Sequence, residues 1–80
     1  MQLTVKYFGI IADFTQKKET FLPLDASIDT IEKLLCYLQE LYPEIKNVTF
    51  SIALNEKLIS KNEALIDGDE IALLPPFAGG

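Results

Sequence analysis

The chain closes on Pro75-Pro76-Phe77-Ala78-Gly79-Gly80, and its last residue offers an α-carboxylate with no side chain beside it. Gly79 and Gly80 lack Cβ atoms, so this end can lie extended in a channel too narrow for other residues. They also leave the terminal carbonyl carbon open from either face. An activating enzyme can therefore set the carboxylate against the α-phosphate of ATP and form an acyl-adenylate. Pro75 and Pro76 fix φ and stiffen the segment, which makes residues 75–80 an extended arm on a domain of residues 1–74. The competing reading is a frayed terminus without a role, since disorder concentrates at chain ends.

Few other residues could do chemistry. The chain has no histidine, which excludes Ser-His-Asp and Cys-His nucleophile arrangements within it. One cysteine and no histidine also rule out a zinc site or a disulfide framework. Cys36 falls off the centre of a helical apolar stripe, without a basic neighbour to lower its pKa, and reads as passive. Asp67 and Asp69 flank Gly68 but lack the remaining ligand positions of a calcium loop, so they read as a turn.

Eighty residues make one small domain, near the lower limit for a self-supporting core. Apolar residues are 49% of the chain, enough for a globular fold and too many for disorder. No apolar run reaches the roughly 20 residues that cross a bilayer. Met1 leads straight into an alternating strand pattern, so no leader is expected and the predicted location is the cytoplasm. The net charge is −5, from seven lysines and twelve acids with no arginine. Such a chain is a poor match for nucleic acid, whose phosphates need Lys/Arg clusters. It suits a partner with a basic groove.

The elements that must position the arm are legible in the periodicities. Leu3, Val5 and Tyr7 alternate with Gln2, Thr4 and Lys6, as a half-buried strand requires, and Gly9 breaks the pattern. Residues 10–18 read as a loop folded back on the core through Ile10, Ile11 and Phe14. A second strand is expected over 19–24, with Pro23 near its end. Ile31, Leu34, Leu35, Leu38, Leu41 and Tyr42 form one apolar stripe and predict a core helix over 30–42, ended by Pro43. Asp29 with Glu32 is a candidate capping pair, and Thr30 is the rival cap. A third strand is expected over 48–54, a turn at Asn55-Glu56, and a short strand at Leu58-Ile59. Residues 61–65 read as a polar connection with room for a helical turn. The Asp67-Gly68-Asp69 turn then feeds the buried strand Ile71-Ala72-Leu73-Leu74. One helix across a mixed four- or five-stranded sheet is a two-layer α+β domain. If the first and last strands are central neighbours, they run parallel, and the arm leaves from a rigid base.

The stretch Asp67-Gly68-Asp69-Glu70 followed by Ile71-Ala72-Leu73-Leu74 and Pro75-Pro76-Phe77-Ala78-Gly79-Gly80 resembles the sulfur-carrying small subunits of molybdopterin synthase. Val5-Lys6-Tyr7-Phe8-Gly9 and Ala53-Leu54-Asn55 extend the resemblance along the whole chain. It implies a ubiquitin-like β-grasp fold. It implies also that Gly80 is adenylated by an enzyme of the E1 type, with consumption of ATP and no cofactor held by the carrier. A persulfide donor then leaves a thiocarboxylate there. The sulfur goes to a cyclic pyranopterin phosphate inside the large synthase subunit, in an expected heterotetramer of two small and two large subunits, and the carrier itself supplies no catalysis. Gly79, Ala78 and Phe77 give the tail its access, and Phe8, Leu58, Leu74 and Phe77 are the implied partner contacts. The pattern of Phe8 on its strand, opposite the core side chains, agrees with that role; for Leu58 and Leu74 a core position competes. Ala12 stands where members of the family often carry an arginine, which leaves open the partner contact such an arginine would make. The alternatives are a carrier for thiamine thiazole synthesis, a ubiquitin-like protein modifier joined through Gly80 to a lysine, and a plain interaction module.

Overall fold

In the computed structural model, residues 1–75 are described; they form a five-stranded mixed sheet with one long helix laid across one face. In chain order the elements are β1 (Gln2–Tyr7), α1 (Gly9–Thr15), β2 (Glu19–Pro23) and α2 (Ile31–Leu41). A 3-10 turn (Pro43–Asn47), β3 (Ser51–Leu54), β4 (Lys57–Ile59) and β5 (Glu70–Leu74) follow. The strands lie in the order β2-β1-β5-β3-β4, with β5 in the middle. Parallel pairing joins β1 to β5, Val5 beside Ile71 and Tyr7 beside Leu73. The other pairs are antiparallel. This is the β-grasp arrangement, and β5, the strand that precedes Pro75, is central as expected; the expected arm itself lies, beyond Pro75, outside the described residues.

The alternation of β1 decides which face is core. Leu3, Val5 and Tyr7 are buried with Ile71 and Leu73 of β5 against Ile31, Leu34 and Leu38 of α2. Tyr42, just past α2, meets Tyr7 edge to face with ring centroids 6.2 Å apart. The predicted stripe is right except at its edge: Leu41 is 52% exposed, because Tyr42 takes the core position at that end of the helix.

The start of α2 is fully accounted for. Thr30, not an Asp29/Glu32 pair, caps it: the Lys33 N–H donates to Thr30 Oγ1 at 3.2 Å. The Ile31 and Glu32 N–H groups donate to the Glu63 carbonyl and Asn62 Oδ1, both at 2.9 Å. Asp29 instead bridges to Lys33 Nζ. The 61–65 connection therefore forms no helical turn; it serves as a lid of acceptors over the first turn of α2.

Two further expectations are corrected. Most of residues 10–18 belongs to α1, which begins at Gly9, and not to a loop. Ile11 and Thr15, one turn apart, are its buried residues, and Gln16 ends it in the left-handed region at φ 58°. Seven residues are too few to show a helical period in the sequence. The third strand begins at Ser51 instead of Val48, because the 3-10 turn buries Ile45 and occupies the chain up to Asn47. Val48 and Phe50 still pack on the core as extended but unpaired residues.

Candidate functional site

The same alternation that buries Leu3, Val5 and Tyr7 turns Thr4, Lys6 and Phe8 to the face of the sheet that α2 leaves uncovered. Register extends that face across the strands. Lys6 lies beside Ala72, Ala72 beside Ala53, and Ala53 beside Leu58. One step along, Leu74 lies beside Ser51, and Phe8 follows the Tyr7–Leu73 pair into place next to it. A depression of about 410 Å³ results, with Ala53 and Ala72 on its floor and Phe8, Leu58 and Leu74 as its apolar walls. Lys6, Glu56 and Glu70 form the rim.

The walls are in water. Phe8 is 42% exposed and Leu58 53% exposed, while Leu74 is half-buried. A core position for Leu58 is thus overturned, and Leu74 is shared between the sheet and the depression. Exposed apolar side chains gathered inside a polar rim make this face a candidate docking surface. The rim is electrostatically organised. Lys6 Nζ pairs with Glu70 at 3.1 Å, and this hydrogen bond and the Glu70 charge raise the ammonium pKa, with smaller pushes from Glu19 and Glu56. The pair is solvent-exposed and adds little to stability.

The β3–β4 turn holds the Leu58 wall in place. Asn55 and Glu56 both have positive φ, 52° and 69°, as a tight two-residue hairpin demands. The Asn55 amide donates to Asp69 Oδ1 at 2.9 Å, and its Oδ1 accepts the Glu70 N–H at 2.9 Å. The predicted Asp67-Gly68-Asp69 turn is present, with Gly68 at φ 86°. Asp67 accepts the Gln2 N–H, and buried Asp69 accepts the Ile66 N–H.

Beyond Phe8 lies a second depression of about 470 Å³, with Gly9 and half-buried Ala12 among its lining residues. Cys36 is exposed on α2, away from both depressions. Among the described residues no cluster of three His, Cys, Asp or Glu side chains could hold a metal, and no helix is long and apolar enough to cross a membrane. Phe77, Ala78, Gly79 and Gly80 lie outside the described residues. Of the expected contacts, Phe8, Leu58 and Leu74 are brought together. The alanine floor and the charged rim were not foreseen. Their signal was present as two small outward residues, Ala53 and Ala72, set between large apolar neighbours on their strands.

Comparison with known proteins agrees with this architecture. A curated relative, the molybdopterin synthase sulfur carrier subunit of Chlamydomonas reinhardtii, is 34% identical over 84 residues, covering 100% of both chains. A solved structure described as a protein–protein complex of subunits 1 and 2 of molybdopterin-converting factor from Helicobacter pylori is 35% identical. It matches with TM-score 0.73 over 100% of both chains. The solution structure of small archaeal modifier protein 1 from Methanosarcina acetivorans is 25% identical with TM-score 0.80, covering 99% of this chain and 96% of that one. The model of the ThiS family matches residues 5–80, nearly the whole length, and the chain belongs to that family.

Proposed function

We propose that this protein is the sulfur carrier of a molybdopterin synthase, with Gly80 as the residue that bears the sulfur. The observation that carries the reading is the end-to-end likeness to a molybdopterin synthase sulfur carrier subunit, in a chain that closes on Gly79-Gly80. An activating enzyme of the E1 type joins the Gly80 carboxylate to the α-phosphate of ATP and releases pyrophosphate. The terminal sulfur of a persulfide donor then attacks the carbonyl carbon and AMP leaves. A second thiol cleaves the resulting S–S bond, taking the donor's own sulfur as a disulfide and freeing the thiocarboxylate. The carrier needs no base of its own for this.

The uncovered sheet face then docks on the large subunit through Phe8, Leu58 and Leu74, with Phe77 filling a pocket beside the arm. The thiocarboxylate sulfur attacks a side-chain carbon of the cyclic pyranopterin phosphate in the large subunit's active site, displaces an oxygen substituent from it and leaves a thioester between carrier and pterin. Water returns the carrier as a carboxylate. Two such deliveries complete the dithiolene, which fits a heterotetramer of two small and two large subunits. ATP is consumed by the activating enzyme, and the carrier holds no cofactor.

Reconstitution with the large subunit and the precursor tests this. The thiocarboxylated chain is expected to yield the dithiolene product, and the Gly80-deleted chain to yield none while folding normally. Product formed by the deleted chain would overturn the reading. The likeness to a small archaeal modifier protein supports a second reading, in which Gly80 forms an isopeptide bond with a lysine of another protein. That reading predicts conjugates of higher mass in the host.

A further inference from the structure

We propose that Gly9 is a positioning residue for the carboxyl-terminal arm, acting through Pro75. The inference rests on the reading of the arm as the sulfur-bearing segment. Parallel pairing of β1 with β5 runs through Tyr7 and Leu73, and the Phe8 N–H donates to the Leu73 carbonyl at 3.2 Å. Continuing that register brings Gly9 opposite Pro75. Both strands end at this point, for different reasons. Gly9 turns at φ 60° into α1, and Pro75 has no N–H to extend a ladder.

The Pro75 ring stands over Gly9 where a side chain would otherwise be. A methyl group built on Gly9 would lie 3.3 Å from Pro75 Cγ, 3.5 Å from Cβ and 3.6 Å from Cδ. The three nearest atoms to that position thus all belong to one ring. The proline ring thus faces a backbone bare of side chain, and this seat fixes where the arm begins relative to Phe8. A β-carbon at position 9 lifts the ring. The error is passed to the reacting end, while the docking walls Leu58 and Leu74 are untouched. Gly9 acts through Pro75, so its effect belongs to delivery within the bound complex rather than to docking.

The test uses full-length chains thiocarboxylated chemically at Gly80, so that no activating enzyme is involved. Wild type, Gly9→Ala, Pro75→Ala and the double variant are compared for affinity to the large subunit and for single-turnover transfer. Gly9→Ala is expected to keep its affinity within about twofold and to transfer about tenfold more slowly, since small misplacements of reacting groups are costly. Adding Pro75→Ala removes the ring that the new methyl meets and should recover most of the rate, a non-additivity expected only of contacting residues. Pro75→Ala alone leaves the Gly9 backbone undisturbed and should slow transfer about threefold by loosening the seat. It decides the matter if Gly9→Ala fails to fold.

An unchanged rate in either single variant overturns the proposal. So does a slow Gly9→Ala that the second substitution does not rescue, because that pattern marks backbone strain alone. If the Gly80-deleted chain transfers sulfur as well as wild type, the failure is of the sulfur-carrier reading and not of the Gly9 seat.

Discussion

The Asn55 side chain grips Asp69 at 2.9 Å, tying the β3–β4 turn to the residue just before β5. Asp69 is 6% exposed, so its carboxylate depends on the Asn55 amide and the Ile66 N–H for solvation. Asn55→Gly keeps the left-handed backbone and removes only the side-chain bonds. It should lower stability by about 1–2 kcal/mol, the range for a hydrogen bond to a charged group less the relief of a glycine at positive φ. Chemical denaturation of the two proteins checks this.

Glu56 has the opposite sign. It sits at φ 69°, where an L side chain is strained and glycine is not, and among the described residues no ion pair holds it. Glu56→Gly should therefore raise stability by about 0.5–1 kcal/mol. An increase in thermal midpoint is the expected result; a decrease would mean that the carboxylate makes a compensating contact.

Tyr7 gives the fold a dependence on alkaline pH. Among the described residues its hydroxyl is buried without a hydrogen-bond partner, and burial pushes its ionisation well above the ordinary tyrosine range, helped slightly by Tyr42 and Tyr37. A group whose folded pKa is raised contributes stability that is present in full below its unfolded value, about 10, and lost as pH rises towards the folded one. Stability should fall as the pH climbs above about 10, more steeply in wild type than in Tyr7→Phe. At neutral pH Tyr7→Phe should be more stable by about 1 kcal/mol, because an unsatisfied buried hydroxyl is removed. Denaturation at a series of pH values reads both effects.

The proposed docking face separates stability from binding. Leu58→Asp changes a side chain that is already half in water, so folding stability should move by no more than about 0.5 kcal/mol. Affinity for the large subunit should drop by more than tenfold, about 1.4 kcal/mol. Ile66→Asp, at an exposed site near the opposite end of β5, should leave affinity unchanged. Equal losses in both variants would contradict the assignment of this face.

Much of this architecture was legible before any coordinates, and the reasons for the rest are physical. Leu3, Val5 and Tyr7 announce their face because one side of β1 is packed and the other is wet. Ile31, Leu34 and Leu38 do the same for α2. The α1 segment was hidden, because fewer than two turns with Ile11 and Thr15 inward offer no repeating signal and Phe8 gives it no side-chain cap. Val48 and Phe50 have strand-like chemistry but gain their burial without a ladder partner. Leu41 misled because the stripe continues past the place where Tyr42 takes over the core. The proposed docking walls could be named only through family resemblance, since Leu58 and Leu74 have the composition of core residues. Register, not composition, places them beside Phe8. The Gly9–Pro75 juxtaposition joins residues 66 positions apart and has no local pattern.

The central claim, that Gly80 carries the sulfur, is tested most directly by the mass of the carboxyl-terminal peptide. The chain would be recovered after co-expression with its activating enzyme and sulfur donor. The account predicts a peptide ending at Gly80 with one oxygen replaced by sulfur, located by fragmentation to the last residue. A native chain that continues past Gly80, or sulfur bound at Cys36 with an unmodified terminus, would contradict it.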